Sequence, residues 1–440
     1  MHEFASRRTQ WADESENARV CARAEGGTSA IPAEAGGIVK NRVLMVMTRD
    51  IPQHVSNGRE RTLRFIRNAI GDEMEVAEFK IRSVFEDGGW SGKLGAVARV
   101  AIGVLRAEPC ALQVAMFWRA RKRAELLRVV EASAPDVIYF DGIRMVDYAT
   151  LVGRRFPHCR IVVDFDDLMS RRAGILRAHD FPLSAGYLAR SIPRPFVRLA
   201  NASIVRKAFL RYEEFALRRQ ERAAIRASNA VTLVSTEDAG ALRARLTDDE
   251  AAKAHVIAPP LSSRTPVRFP ATPLRFVFIG SDAQLQNRLA IEYLIRLWAR
   301  VAPASPLVIF GRMVGRYDPV PNVVFAGFAQ SQADVYTGCS IALCPAFLRG
   351  GIKSKVLEAI SYGCVPVGND AAYEGLGFHD DALAMTEPRL ERFVTAPDED
   401  LPNVVAAATR FAEYCDQHFS MSRFGQRWRE VIAPMPDGSR

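Results

Sequence analysis

The sequence predicts an α/β protein built from two doubly wound parallel-sheet domains that face a central cleft. Three observations support this fold class: short apolar runs alternate with helical patterns after residue 37, a proline-rich passage at 258–273 interrupts them, and the alternation then restarts. Strands of a parallel sheet are buried on both faces and therefore appear as nearly continuous apolar runs. Their alternation with helices is typical of doubly wound sheets.

The first domain is predicted over 38–264, and its first strand is the run RVLMVMT at 42–48. Apolar residues at helical spacing fill the intervals between its strands. Further strands are predicted at 75–79, 136–140, 160–165 and 230–235, and helices at 59–70, 119–133 and 203–227.

The second domain is predicted over 265–402, after the proline-rich linker. Its strands are predicted at 274–280, 306–311, 322–327, 340–345 and 364–369, with helices at 287–302 and 353–362. A final helical stretch at 403–432 leads us to expect that residues 403–440 pack back towards the first domain. Residues 1–37 mix charged and small residues without periodicity, which predicts a disordered N-terminal extension.

Composition indicates a globular protein of a reducing compartment. The chain has 440 residues with 48% hydrophobic content, enough for two or three domains with their own cores. Seven cysteines without a C-x-x-C pair predict neither a disulfide framework nor a zinc site. We expect no signal peptide and no membrane span, because the best apolar run, at 97–118, is interrupted by Arg99, Arg106 and Glu108. Cytoplasmic localisation is the expectation, with peripheral membrane contact left open.

The positive charge is concentrated in one segment. The formal net charge is +9, and residues 171–226 hold thirteen Lys or Arg against four Asp or Glu, which equals the whole excess. Basic residues alternating with apolar ones would suit anionic lipid headgroups or an acidic partner. The alternative is a solvated helix face packed on its own domain. Nucleic acid is not expected, since no helix-turn-helix, zinc-finger or RNP signature accompanies the charge.

Ligands of open α/β sheets bind outside the carboxyl ends of the strands, so the loops at those ends are the candidate site. Gly58 precedes a helix and could let backbone N–H groups meet a phosphate or a sugar hydroxyl, or could simply permit the turn. In the second domain, Gly280 and Ser281 follow a strand, and Arg288 offers charge at the start of the next helix.

The segment RGGIKSKVLEAISYG, at 349–363, is more specific. Lys353 and Lys355 lie in the first turn of a predicted helix, where cations oppose the helix dipole. A bound anion at this helix end would remove the conflict. Glu358 could accept hydroxyls of a ribose. The alternative is that the lysines are solvated and Glu358 pairs with Lys355 along the helix.

The stretch GGIKSKVLEAISYGCVPVGNDAAYEGL, at 350–376, resembles the donor-site signature of glycosyltransferase family 4, whose members have the GT-B fold of two Rossmann-like domains. Four further segments are similar to the family in the expected order. They are RVLMVMTRDIPQHVSNGRERT, VVDFDDLMSRRA, VTLVSTEDAGAL and FIGSDAQLQNRLAIEYL.

The resemblance implies roles for individual residues. Glu358 matches the second glutamate of the family's E-x7-E motif, which contacts the donor ribose, whereas Gly350 stands where the first glutamate would be. Gln284 and Gln286 occupy the region of a basic pair that commonly holds the donor diphosphate. The expected substitutes are Arg349, Lys353 and Lys355, with the backbone at Gly350 and Gly351 and the nearby Arg288.

Asp166 and Asp167 stand where the family often has a His-Asp pair, and either could assist deprotonation of the acceptor. No metal is expected, because no D-x-D metal signature is convincing: the pattern from Asp164 to Asp166 lies in the acceptor-side domain. No cofactor is expected beyond the nucleotide sugar.

The activity implied by the resemblance is transfer of a hexose from a UDP- or GDP-linked donor to a hydroxyl of a saccharide or lipid-linked acceptor. Retention at the anomeric carbon and a place in bacterial polysaccharide or glycolipid synthesis are part of the same expectation. A sugar-nucleotide epimerase is disfavoured by the motifs. The remaining alternative is a catalytically degenerate GT-B protein that binds a nucleotide sugar or a partner transferase.

Overall fold

The structure is a computed structural model that describes residues 41–51, 58–87, 89–179, 201–261, 264–338 and 340–434. The predicted disordered extension, 1–37, lies outside the described residues. The predicted fold class is confirmed: two parallel sheets, each covered by helices, form separate domains.

The first domain contains a six-stranded parallel sheet. Its strands are β1 (Arg42–Met47), β2 (Glu75–Lys80), β3 (Val137–Asp141), β4 (Arg160–Asp166), β5 (Ala230–Leu233) and β6 (Ala254–Val256), in the order β2-β1-β3-β4-β5-β6. The first five are confirmed predictions. β6 was not predicted, because three residues with a histidine at the centre carry no apolar run.

Helices cover both faces of this sheet, and a short 3-10 turn at Ile143–Met145 precedes one of them. In α1, Leu63, Ile66 and Ile70 recur at helical spacing and are buried against the sheet. The helices are α1 (Gly58–Gly71), α2 (Val84–Asp87), α3 (Gly89–Leu105), α4 (Leu112–Ala115), α5 (Ala120–Ser133), α6 (Val146–Arg155), α7 (Met169–Ala178), α8 (Ser203–Ala227), α9 (Thr236–Arg243) and α10 (Asp248–Ala252).

The second domain contains a five-stranded parallel sheet with one continuous apolar core. Its strands are β7 (Arg275–Ile279), β8 (Leu307–Phe310), β9 (Val323–Gly327), β10 (Ser340–Leu343) and β11 (Val365–Val367), in the order β11-β10-β7-β8-β9. Its helices are α11 (Leu285–Val301), α12 (Gln332–Val335), α13 (Ser354–Ser361), α14 (Asp370–Tyr373), α15 (Glu387–Thr395) and α16 (Pro397–His418).

The last helix, α17 (Met421–Ile432), packs on the first domain. Its Phe424 and Trp428 lie in the core formed by α1, β1 and β3, and the Trp428 ring meets Tyr139 edge-on at 5.8 Å. The structure differs from the predicted limit at residue 403: α16 runs through it, and its apolar residues lie in the second-domain core. The chain crosses back only after residue 418.

The two passages between the domains lie next to each other. The N–H of Leu261, in the proline-rich linker, donates to the carbonyl of Phe419 at 2.8 Å. Within the described ranges, no helix combines the length and apolarity needed to cross a bilayer.

Candidate functional site

Two adjoining cavities lie between the carboxyl ends of the sheets, and residues of both domains line each of them. Asp167, Ile352 and Ser354 line both. The first cavity, about 150 Å³, is otherwise lined by Gly58, Arg59, Arg61, Thr62, Phe65, Asp166, Val234, Pro259, Pro260, Leu357 and Glu358. The second, about 170 Å³, is lined mainly by the second domain, including Gln284, Gln286, Asn287, Arg349, Gly350, Lys353 and Lys355.

Lys353 and Lys355 bring positive charge to the second cavity, as the sequence predicts. Lys353 is only 7% exposed, and its Nζ donates to the Gly350 carbonyl at 2.6 Å. The Nζ of Lys355 donates to Asn287 and lies 4.9 Å from the centre of the Phe278 ring. Burial lowers the pKa of both ammonium groups. A bound anion would therefore stabilise their charged forms.

Gly350 and Gly351 make a turn that only glycine adopts easily, with φ values of 96° and 63°. A Cβ on Gly351 would lie 2.0 Å from the Oδ1 of Asp167, so the absence of a side chain lets the two domains meet here. The N–H groups of both glycines are already occupied. That of Gly350 donates to Glu374 at 3.1 Å, and that of Gly351 donates to Asp238 at 3.2 Å. The predicted role of these backbone groups in holding a diphosphate is therefore not the arrangement observed.

An arginine of the first domain joins the same carboxylates. Arg171 donates to Asp238 at 2.7 Å and to Glu374 at 2.6 Å, so one guanidinium bridges a carboxylate of each domain. We call Arg171, Asp238 and Glu374 the interdomain latch. Arg349 lies beside it, half exposed, and donates to Asp370 at 2.9 Å while also lining the second cavity.

Glu358 is paired across the cleft. Its carboxylate accepts from Arg61 of α1 at 2.7 Å and from Gln332 at 3.0 Å. The pair with Lys355 that the sequence left as an alternative is not among its contacts. Glu358 lies at the edge of the first cavity, where a ribose would have to replace Arg61.

Asp166 and Asp167 lie at the end of β4, opposite α13. Asp166 has a φ of 62°, in the left-handed region that non-glycine residues rarely adopt, and the pairing of β4 with β5 shifts register at this point. Such strain in a cleft is commonly retained for function. Asp167 accepts from Arg172 at 3.0 Å.

The sequence did not identify Arg59, which organises this side of the cleft. Its guanidinium lies 2.5 Å from Asp141, 2.9 Å from Asp164 and 3.3 Å from Asp166. Burial alone would lower the pKa of Arg59, but the surrounding carboxylates raise it well above its usual value. Asp141 also accepts from the hydroxyl of Thr48 at 2.6 Å.

These neighbours shift the carboxyl pKa values in opposite directions. Burial opposes ionisation of Asp141, yet Arg59 and Arg49 together hold its pKa well below the usual range. For Asp166, burial dominates, and with Asp167 and Asp164 it outweighs Arg59 and raises the pKa to about 7. The Asp166 side chain is 37% exposed, so water screens part of this effect.

Of the remaining predicted residues, Gly58 reaches one of these cavities, whereas three residues of the second domain do not. Gly58 lines the first cavity and faces Ser354, whose hydroxyl oxygen would lie 3.2 Å from a Cβ at that position. Ser281 donates its hydroxyl to the Arg312 carbonyl at 2.7 Å, and Gly280 packs on Asn287. Neither residue lines a described cavity, and Arg288 does not either.

The comparisons with known proteins agree with this geometry. Residues 273–403 match the family model described as glycosyl transferases group 1. Sucrose-phosphate synthase from Thermosynechococcus elongatus has a similar structure, with 12% identity, a TM-score of 0.56 and coverage of 90% of this chain and 100% of that chain. A search of curated proteins gives no match.

Two further solved structures are similar over comparable lengths. HepE from Anabaena, solved with UDP-glucose, shows 14% identity and a TM-score of 0.54, covering 89% of this chain and 99% of that chain. The apo form of the lipopolysaccharide outer core galactosyltransferase WaaB shows 13% identity and a TM-score of 0.53, covering 89% and 99%.

Identities this low establish a shared fold rather than a shared substrate. Family 4 therefore stays a prediction. The group 1 match covers the segment that carries Lys353, Lys355 and Glu358. The chain has the GT-B fold, and residues 273–403 of its second domain match the glycosyl transferases group 1 model.

Proposed function

We propose that this protein transfers a hexose from a UDP- or GDP-linked donor to a hydroxyl of a saccharide or lipid-linked acceptor. The observation that carries the proposal is the placement of Lys353 and Lys355 beside one cavity at the carboxyl end of β10, within the segment that matches group 1. The structure of HepE with UDP-glucose supports a nucleotide-sugar donor, and the name of WaaB, a galactosyltransferase, supports transfer of a hexose. No cofactor or metal is part of the proposal.

The second cavity would hold the donor diphosphate. Two ammonium groups in a partly water-excluded site stabilise a departing diphosphate more strongly than they would in water. They are held before the donor arrives, Lys353 by the Gly350 carbonyl and Lys355 by Asn287. The donor would thus meet charge that needs little rearrangement.

The first cavity would hold the acceptor and the donor ribose. Asp166, with a pKa near neutrality, is suited to take the proton of the acceptor hydroxyl as the glycosidic bond forms. The ribose hydroxyls would take the place of Arg61 on Glu358. We include retention at the anomeric carbon in the proposal, as the resemblance implies.

A donor screen tests the enzyme proposal. Purified protein is incubated with a panel of UDP- and GDP-hexoses and with saccharide or lipid acceptors, and product is followed by mass spectrometry. We expect one donor to give product. Absence of both product and donor hydrolysis across the panel would reject the proposal that this protein is an enzyme.

Binding measurements test the roles of the lysines separately. Lys353→Ala and Lys355→Ala should weaken binding of the nucleoside diphosphate about ten-fold or more while changing nucleoside binding little, because only the diphosphate meets these charges. Arg300→Ala is the matched control, since this exposed arginine of the same domain pairs with Glu387 on the outer surface. Equal losses for nucleoside and diphosphate would reject the phosphate role.

A second candidate is a catalytically degenerate GT-B protein that binds a nucleotide sugar, or a partner transferase, without turnover. Gly350 in place of the family's first glutamate, Gln284 and Gln286 beside the second cavity, and the pairing of Glu358 with Arg61 favour it. Calorimetric binding of a nucleotide sugar with no product in the donor screen would select this candidate.

We also propose that the protein works in the cytoplasm, at an anionic membrane surface, in bacterial polysaccharide or glycolipid synthesis. The described parts of the predicted basic segment are α7 and α8, since 180–200 lie outside the described residues. Part of α8 fits the alternative of a solvated helix face packed on its own domain, because Arg222 and Arg226 both pair with Glu250. Lys207, Arg211 and Arg219 remain exposed for an anionic partner.

A further inference from the structure

Helix α3 is inverted with respect to an ordinary surface helix. Small and basic residues face the protein, and large apolar residues face outward. A surface helix normally buries its apolar stripe and exposes its charges. The outward set comprises Trp90, Leu94, Val97, Ile102, Val104 and Leu105.

The inward face is packed too closely for α3 to turn over. A Cβ on Gly92 would lie 3.3 Å from the Val84 side chain, and one on Gly103 would lie 2.6 Å from the Glu108 carbonyl. Arg99 donates to Asp147 at 2.6 Å and lies 5.0 Å from the Trp118 ring. The glycines and this partly buried ion pair therefore fix which side of α3 faces away from the domain.

The outward face is apolar over the length of the helix. Trp90 is 79% exposed at one end, Leu94 is 65% exposed, and Leu105 is 86% exposed at the other end. Residues 89–105 contain no acidic side chain. A contiguous exposed patch of this kind marks an interaction site rather than ordinary surface.

A helix with exposed basic residues packs on the same segment as α3. Gly103 of α3 lies against the backbone of Cys110, and the hydroxyl of Tyr212 in α8 donates to the Cys110 carbonyl at 2.9 Å. The outward side of α8 carries Lys207 and Arg211, with the exposed Phe215 next along the helix. The apolar strip of α3 and the basic side of α8 therefore both belong to helices packed around Cys110.

We propose that α3 inserts its outward face into the interfacial layer of an anionic phospholipid membrane, with the basic side of α8 on the headgroups. Apolar side chains would enter the acyl boundary while lysine and arginine meet the lipid phosphates. Trp90, at one end of the strip, has the side chain most favoured at the headgroup level. A second copy of the chain fits less well, because a two-fold interface would bring the same cationic surfaces together.

Vesicle flotation of the full-length protein, without nucleotide sugar, tests the proposal. We expect binding to phosphatidylcholine vesicles containing phosphatidylglycerol and little binding to phosphatidylcholine alone. The double variant Leu94→Gln/Leu105→Gln should lower binding by about ten-fold or more, since each leucine contributes burial of its whole side chain. Lys207→Gln/Arg211→Gln should remove the salt-sensitive part of vesicle binding. The control is Glu413→Gln, at an exposed position of the second domain.

Trp90 offers a direct reading of insertion. Its fluorescence should shift to the blue on vesicle binding, and Trp90→Phe should abolish the shift. Unchanged flotation of the leucine variant, or no flotation at all, would overturn the proposal. Self-association in light scattering that the leucine variant abolishes would instead assign α3 to a second copy. Because no donor is present, these outcomes are independent of the donor screen.

Discussion

Arg59 lies among Asp141, Asp164 and Asp166, and its charge helps to hold the pKa of the buried Asp141 well below its usual range. A charged group left alone in such a place would be strongly destabilising. The same guanidinium positions Asp166, the group proposed to meet the acceptor. Stability and chemistry on this side of the cleft therefore depend on one side chain.

Arg59→Gln should lower the free energy of unfolding by about 3–5 kcal/mol at pH 8, because it leaves buried carboxylates unpaired. Arg67→Gln is the matched control on α1: Arg67 is 48% exposed and pairs with Glu78, so its loss should change stability by about 0–1 kcal/mol. Urea unfolding of both variants makes the comparison. Equal losses would show that Arg59 is not carrying the buried charge.

The pH dependence of turnover should report Asp166. A base must be ionised to act, so kcat/KM should rise with pH through a midpoint near the Asp166 pKa of about 7. Asp166→Asn should remove this limb and slow turnover by about 10²–10⁴-fold. Asp167→Asn should keep the limb, and a limb that survives in Asp166→Asn would exclude this residue as the base.

Residues within one segment were open to prediction from sequence, whereas pairs between segments were not. Lys353 and Lys355 were identified because two lysines at one helix start conflict with the helix dipole. Arg59 and Arg61 were missed because their partners lie on other strands or on the other domain. Asp141 and Asp164 offered a signal, each being a carboxylate at the end of a buried apolar run.

At the scale of elements, the strands other than β6 were predicted correctly, and α8 to the residue, whereas the long helix α3 was not predicted. Short elements were not predicted, and neither was the residue at which the second domain ends. β6 has too few apolar residues to form a pattern, and α16 crosses the predicted limit at 403 because helical periodicity does not say which core a helix joins. The inverted polarity of α3 could not be read either, since periodicity defines two faces without saying which one is inside.

In α8, Glu213 is buried against the Cys110 segment, where it accepts from the Leu112 N–H at 2.5 Å. Burial raises its pKa to about 7. The native state therefore holds a proton that the unfolded chain releases at lower pH, so this group lowers stability progressively as pH rises from the ordinary glutamate range to about 7.

Glu213→Gln should consequently stabilise the protein more at pH 8 than at pH 5.5, by up to about 3 kcal/mol at the higher pH. Thermal midpoints of the variant and the wild type at both pH values make the test. Exposed Glu413→Gln should shift neither midpoint appreciably. A gain that is equal at both pH values would contradict the assignment.

At the scale of the whole molecule, the interdomain latch and the pair between Arg61 and Glu358 hold the cleft in its present width. Both depend on charge-assisted hydrogen bonds between domains. Arg171 is held by Asp238 of its own domain and donates across the cleft to Glu374, so its removal deletes an interdomain bond while leaving both carboxylates in place.

Arg171→Ala should open the cleft, since losing the charge-assisted hydrogen bond to Glu374 costs the closed arrangement about 1.5–3 kcal/mol. Small-angle X-ray scattering without ligand should then give a larger radius of gyration. Arg172→Ala is the matched control, because its neighbour Arg172 pairs within the first domain, with Asp167. An unchanged radius for Arg171→Ala would show that other contacts set the domain spacing.

The hydrogen bond from Leu261 to Phe419 joins the two segments of chain that connect the domains. Because the two connecting passages are joined at one point, we expect the second domain to rotate about this point rather than to slide along the first. Helix α1 packs against α17 in the first domain, and Arg61 of α1 lies at the cleft. We expect such a rotation to change the distance between Arg61 and Glu358.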